Sequence, residues 1–244
     1  MPVERLLVVM PALNEEDTVG DVVRSALDTL PCDVLVVDDG SSDATAAKAV
    51  AAGAFVLRHP FNLGVGAALR SGFRFAVDRR YGRVLQMDSD GQHPAEAARL
   101  LLERLDDGDV DLVVGSRFEA GYHVGRVRRA AMRLLSRSVT RRLNVTITDT
   151  TSGFRAFGPR AVQGFARSYP TAYLSDTVEA LLMAADWGLQ VAEVPVRMQA
   201  RQGGQPSAGG VASVVHLVRL ALVIVLHGVR RPLTRRGGDR HVEA

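Results

Sequence analysis

Short apolar runs alternate along the chain with longer segments whose apolar positions recur every three or four residues. The short runs are rich in Val and Leu and read as buried strands at Leu6–Met10, Val34–Val37, Ala54–Leu57, Val84–Met87, Leu112–Val114, Phe154–Phe157 and Val191–Val194. The longer segments predict helices over Glu16–Thr29, Ala44–Ala52, Gly66–Arg79, Pro94–Leu105, Val127–Leu143, Pro159–Ser168 and Thr177–Trp187. Strands that are apolar on both faces and are followed by helices predict an α/β fold with a mostly parallel sheet flanked by helices.

Ligands of such sheets bind beyond the carboxyl ends of the strands, and the polar motifs fall there. Asn14-Glu15-Glu16 follows the first strand, Asp38-Asp39-Gly40-Ser41 the second, Asp88-Ser89-Asp90 the fourth and Gly115-Ser116-Arg117 the fifth. Asp88 and Asp90 stand two apart in a turn. That spacing lets both face one hard cation while leaving coordination positions for substrate phosphates. A lone pair of this kind is more often solvated or capping a helix; the other three motifs shift the balance. A carboxylate at the Asp39 position can accept hydrogen bonds from a base or a ribose, and Ser42 or Asp43 can cap the next helix. Asn62-Leu63-Gly64-Val65-Gly66-Ala67-Ala68 reads either as a turn or as a glycine-rich approach to a phosphate.

The 244 residues suit one large domain, with 47% hydrophobic and 23% charged residues. Only 5% are aromatic, which predicts an aliphatic core. Cys32 is the single cysteine, so no internal disulfide forms and a reducing compartment is expected. The first residues enter a strand pattern directly, which predicts no signal peptide. The net charge of +3 is mild, and the arginines are clustered. No His pair has metal-ligand spacing; His93 lies beside the Asp88–Asp90 loop.

Taken together, these residues resemble glycosyltransferase family 2. Pro11-Ala12-Leu13-Asn14-Glu15-Glu16, the Asp38–Thr45 run, Asn62-Leu63-Gly64, Asp88-Ser89-Asp90-Gly91-Gln92 and Gly115-Ser116-Arg117 occur in that family's order. Asp149-Thr150-Thr151-Ser152-Gly153-Phe154-Arg155-Ala156-Phe157 and Glu193-Val194-Pro195-Val196 are similar to the polyprenyl-phosphate branch, which includes the dolichyl-phosphate mannosyltransferases. The resemblance implies a GT-A-like fold with a Rossmann-like nucleotide half over residues 1–207. It implies a nucleotide pocket formed by Pro11, Ala12, Asn14, Glu15, Val37, Asp39, Gly66, Asp88 and Ser89, with Arg201 reaching the diphosphate. Asp88 and Asp90 would hold Mg²⁺ or Mn²⁺. Arg117 and Gln92 would sit near the acceptor, and Asp90, Arg117, Asp149 and Glu179 are the implied catalytic set. The family's basic residue and Ser are spread here over Arg201–Ser207.

The implied reaction is inverting transfer of a sugar from GDP-mannose or a UDP-hexose to a polyprenyl phosphate. A phosphate acceptor is largely anionic at neutral pH and needs no strong base. A sugar hydroxyl acceptor does need one, and Asp149, Asp176 and Glu179 are the carboxylates that could serve. Transfer to a hydroxyl of a polysaccharide, glycolipid or protein is therefore the alternative. A non-catalytic sugar-nucleotide-binding protein is a second, disfavoured by the intact Asp88 and Asp90. A nucleotidyltransferase is a third, disfavoured because Pro11–Glu16 is unlike its glycine-rich basic loop.

Gly125–Arg142 carries seven arginines interleaved with Leu134, Leu135 and Val139 at helical spacing. The pattern fits a solvated face, or an anionic membrane surface or lipid phosphate; Arg129 and Arg133 are the residues assigned to the acceptor phosphate. Without aromatic residues the segment does not suggest nucleic acid. Residues 208–244 form a separate C-terminal unit. Its apolar run Val211–Leu226 is shorter than the roughly 20 residues of a membrane span and carries Ser213, His216 and Arg219 on one side. It predicts an amphipathic helix at the membrane interface or in a homodimer contact, and a peripheral protein at the cytoplasmic face. Gln202–Gly210 is expected to be a flexible loop.

Overall fold

The computed structural model describes residues 4–117, 136, 140–143, 145–170 and 176–198. Seven strands form one sheet: β1 (Leu6–Ala12), β2 (Cys32–Asp38), β3 (Phe55–Arg58), β4 (Arg83–Gln86), β5 (Leu112–Ser116), β6 (Arg155–Phe157) and β7 (Val191–Pro195). The helices are α1 (Val19–Thr29), α2 (Thr45–Ala51), α3 (Val65–Asp78), α4 (Ala95–Asp106), α5 (Pro159–Arg167) and α6 (Asp176–Asp186). The strand order is β3-β2-β1-β4-β6-β5-β7. All neighbours run parallel except β6, which is antiparallel to both β4 and β5.

Alternation along β1 shows how the sequence makes three layers. Leu7 and Val9 pack with Leu69 and Phe73 of α3, Phe165 of α5 and Leu181 of α6. Leu6, Val8 and Met10 face the opposite layer, with Val23 of α1, Ala49 of α2 and Leu101 of α4. A strand with both faces covered must be apolar at every position, which is why it reads as a continuous run. Aromatic residues, though scarce, are concentrated: Phe73, Phe157, Phe165 and Tyr169 contact one another at centroid separations of 4.9–5.6 Å.

The order reverses at β1. The chain runs outward through β2 and β3, then returns to place β4 on the other side of β1. At such a switch point the loops beyond two adjacent strands diverge and leave a crevice. Two hydrogen bonds tie its walls: Ser89 Oγ donates to the Pro11 carbonyl at 3.0 Å, and Thr18 Oγ1 donates to the Ser89 carbonyl at 2.8 Å.

The predicted strands, and the predicted helices that fall within the described residues, are present with ends shifted by a few residues. The helix predicted over Val127–Leu143 and the C-terminal unit 208–244 lie outside the described residues, wholly or for the most part. Among the described residues no helix is long and apolar enough to cross a membrane. Burial raises the pKa of the Cys32 thiol to about 11.

Candidate active site

Three loops meet beyond β1, β2 and β3. Asn14, at φ +55°, donates its backbone N–H to Ser41 Oγ at 2.9 Å, and its Oδ1 accepts from Ser42 N–H at 2.9 Å. Glu15 is buried; its N–H donates to Thr45 Oγ1 at 2.8 Å. Asp43, not Ser42, receives the first free amide of α2, from Thr45 at 2.9 Å. Ala12 accepts the Asp39 N–H at 2.8 Å. Gly40, at φ +82°, permits the closest approach: a Cβ there would lie 2.6 Å from the Phe61 carbonyl carbon.

Asp39 closes this wall. Its Oδ1 lies 2.7 Å from His59 Nδ1 and accepts the Leu63 N–H at 3.0 Å, while Oδ2 accepts the Gly64 N–H at 2.7 Å. His59 Nε2 lies 3.0 Å from Ser71 Oγ on α3. The glycine-rich stretch forms a turn held by Asp39. α3 begins at Val65, so Gly66 sits inside its first turn, and the loop glycine is Gly64, whose amide is taken by Asp39. Val37, assigned to the nucleotide pocket, has a fully buried side chain in the core beneath α3.

Beyond β4 the groups are differently disposed. Asp90 is buried, and its Oδ1 accepts the Gln92 N–H at 2.9 Å. The Asp88 side chain is 41% exposed. His93 stands behind it with Nδ1 accepting the Asp88 N–H at 3.0 Å, so Nε2 carries the ring proton and faces Asp88 Oδ2 at 3.7 Å. The ring stacks on Phe154 at 4.7 Å and 15°. Across from Asp88 lies Gly153, where a Cβ would fall 3.3 Å from Asp88 Oδ1. No group of three or more His, Cys, Asp or Glu side chains able to hold a metal occurs among the described residues. Two carboxylates, one of them open, nonetheless suit an ion that takes its remaining ligands from substrate oxygens and water.

Gly153 is brought there by β6, whose antiparallel direction delivers its leading loop to the carboxyl edge of the parallel strands. That loop carries Asp149, fully buried, which accepts from Arg117 Nε at 2.8 Å and Nη2 at 3.2 Å. Two residues proposed for separate catalytic roles are thus one ion pair. Glu179 lies half-buried in the first turn of α6.

Arg155 is the residue whose importance the sequence conceals. It is fully buried at the start of β6, opposite Gln86 of β4, with Nε donating to the Ser152 carbonyl at 2.9 Å and Nη2 to the Thr150 carbonyl at 3.3 Å. Its Nη1, Gln86 Oε1 and Tyr169 Oη are buried without a hydrogen-bond partner among the described residues. Burial lowers the Arg155 pKa and raises that of Tyr169. Asp176, buried at the start of α6, is pushed up to about 6, mainly by burial; Arg155 opposes the rise and the charge on Asp88 adds to it. A charged residue inside the apolar run Phe154–Phe157 was the available signal. His59 had none, standing alone before a proline. Arg129, Arg133 and Arg201 lie outside the described residues.

Comparison with known proteins bears on this arrangement. The profile described as Glycosyl transferase family 2 matches residues 7–164. A polyprenol monophosphomannose synthase of Mycolicibacterium smegmatis is 31% identical over 223 residues, covering 86% of this chain and 83% of that protein. An undecaprenyl-phosphate mannosyltransferase of Micrococcus luteus is 30% identical, covering 94% and 99%. A dolichyl-phosphate hexose transferase of Haloferax volcanii is 31% identical, covering 89% and 94%. Among solved structures, glucosyl-3-phosphoglycerate synthase from Mycobacterium tuberculosis in complex with Mn²⁺, uridine diphosphate and glucosyl-3-phosphoglycerate superposes with a TM-score of 0.68 at 22% identity. It covers 92% of this chain and 79% of that one, and shares its fold.

Proposed function

The chain belongs to glycosyltransferase family 2, and on that premise we propose that it transfers a hexose from a nucleotide diphosphate sugar, GDP-mannose or a UDP-hexose, to a polyprenyl phosphate. The relatives named for polyprenyl-phosphate substrates support the acceptor class. The observation that carries the reading is the state of Asp149. A hydroxyl acceptor needs a carboxylate ready to take a proton; of the three that could serve, Asp149 is fully buried and held by Arg117 at 2.8 Å, Asp176 is buried, and Glu179 is half-buried on α6. An anionic phosphate needs no such base, and it gains from the cation.

The acceptor phosphate oxygen attacks the anomeric carbon from the side opposite the diphosphate. The new C–O bond forms as the old one breaks, and the nucleoside diphosphate departs with the bonding electrons, giving inversion in one displacement. The chemistry that Mg²⁺ or Mn²⁺ at Asp88 and Asp90 supplies is neutralisation of charge on that leaving diphosphate; the Mn²⁺ in the glucosyl-3-phosphoglycerate synthase structure supports the choice of ion. The Asp39 wall orients the nucleoside. Arg117, with Arg129 and Arg133, binds the acceptor phosphate beside Gln92, and Arg201 covers the diphosphate. Residues 208–244 meet the cytoplasmic membrane surface or a second subunit.

The test is transfer from a panel of radiolabelled UDP- and GDP-sugars to a short-chain polyprenyl phosphate, with Mn²⁺ and with chelator, beside Asp90→Ala. Metal-dependent product from one donor, lost in the variant, is expected. Failure with the lipid phosphate but product on a hydroxyl acceptor overturns the acceptor assignment.

A further inference from the structure

We propose that Glu193, on β7, is a positioning residue that acts through Asp149 to fix the Arg117 guanidinium at the acceptor phosphate. The proposal rests on the reading of Arg117 as an acceptor-binding group. β7 lies beside β5 in parallel register, with Val114 opposite Glu193 and Ser116 opposite Pro195, so Glu193 sits just short of the strand end from which Arg117 emerges. Its carboxylate is half-buried and accepts three hydrogen bonds from the loop that precedes β6. Oε2 accepts the Thr148 N–H at 2.6 Å; Oε1 accepts Thr148 Oγ1–H at 2.7 Å and the Asp149 N–H at 3.0 Å.

That loop in turn grips the end of β5. Ser116 Oγ lies 3.0 Å from Thr148 Oγ1. Because the Thr148 hydroxyl has one proton and gives it to Glu193, Ser116 is the donor of that bond. Asp149, whose own amide is held by Glu193, accepts from Arg117 Nε and Nη2 and from Thr151 Oγ1 at 3.1 Å. Two contacts on the planar guanidinium fix its orientation as well as its position. The order of dependence is therefore Glu193, then Thr148 and Asp149, then Arg117. The Arg117 side chain is 26% exposed, Glu193 is half-buried and Thr148 is exposed; Asp149, between them, is fully buried.

Three donors converge on the Glu193 carboxylate, so it must be present as an acceptor on both oxygens. Gln is not an equivalent: its amide NH₂ would face an N–H or O–H that also donates, and at least one bond is lost. A misaligned Arg117 would weaken capture of the phosphate without touching the nucleotide wall, which is built on β1, β2 and β3.

The experiment is steady-state kinetics of the full-length protein with the donor found active and a short-chain polyprenyl phosphate, on wild type, Glu193→Gln, Arg117→Gln and the double variant. Outer partners that orient metal ligands typically cost 10–100-fold in affinity or activity when removed, and the low end of that range is expected for an oriented arginine. Glu193→Gln is expected to raise the acceptor KM about tenfold while the donor KM stays within about twofold. Arg117→Gln raises the acceptor KM at least as much, and adding Glu193→Gln to it produces no further rise, because the positioned group is already gone. An unchanged acceptor KM in Glu193→Gln overturns the proposal. So do an equal rise in both KM values and effects that multiply in the double variant. If Arg117→Gln itself leaves the acceptor KM unchanged, the acceptor role of Arg117 fails and the proposal falls with it. Should Glu193→Gln not fold, Thr148→Val removes one of the three bonds. A rise of a few-fold in acceptor KM, absent on the Arg117→Gln background, supports the proposal, and no rise overturns it.

Discussion

Asp39 and Asp88 occupy comparable places: each closely follows a buried strand and precedes a helix at the carboxyl edge of the sheet. Their surroundings differ sharply. The Asp39 side chain is 6% exposed, and its oxygens face three groups of its own chain, at His59, Leu63 and Gly64. The Asp88 side chain is 41% exposed and is backed by a His93 that takes the Asp88 backbone amide. A carboxylate whose lone pairs are mostly taken by its own chain fixes a wall, and one with open oxygens has lone pairs left over. Identical residues in similar sequence settings therefore differ according to how many donors the fold aims at them.

The comparison can be broken most severely on the open side. Asp88→Ala or Asp90→Ala is expected to reduce turnover about a thousandfold, with circular dichroism and thermal midpoint close to wild type for Asp88→Ala, since that side chain is partly exposed. A comparable loss in binding of the nucleotide alone, without metal, would contradict the division. Beneath the open side, Arg155→Met removes a buried guanidinium that donates to the Ser152 and Thr150 carbonyls and opposes the rise in the Asp176 pKa. Losing buried hydrogen bonds of a charged group costs about 3 kcal/mol, read as a fall of about 10 °C in thermal midpoint.

Asp176 sharpens the contrast through pH. Its carboxyl rises from 3.8 to about 6 in the folded protein, so the folded state holds the proton more tightly than the unfolded chain. The stability this contributes is full below about 3.8 and is lost as pH rises through about 6. Wild type should thus lose on the order of 3 kcal/mol relative to Asp176→Asn between pH 3.5 and 7. Parallel denaturation curves at the two ends would remove the assignment. The smallest effect belongs to the wall. His59→Ala takes one donor from the buried Asp39, at a cost of about 2 kcal/mol. It should raise the donor KM and leave the acceptor KM unchanged.

These differences also mark what the sequence reveals. β1, β2, β4 and β5 are legible because burial on both faces forces unbroken apolar runs. Asp88-Ser89-Asp90 is legible because turn residues follow such a run. The place of Gly66 is not legible, because a glycine just inside a helix is indistinguishable from one just before it. The Val37 side chain belongs to the core beneath α3, as its place in an apolar run implies. The direction of β6 is invisible: three residues carry no signal of polarity, and their antiparallel placement depends on β4 and β5 lying far apart in the chain. The pairing of Arg117 with Asp149 is likewise a product of that placement, since 32 residues separate them.

The insertion of β6 also sets an order of assembly. Until residue 157 has left the ribosome, β4 and β5 each present an unpaired edge, because the strand that lies between them has not been made. Synthesis at about 5–20 residues per second leaves those edges open for several seconds after β4 emerges. Open edges are where chains pair wrongly. The residues that fill the gap between them, Arg155–Phe157, arrive directly behind Asp149 and Gly153, so the facing edges of β4 and β5 are covered as that loop reaches the carboxyl edge of the sheet, and the far edge of β5 waits for β7.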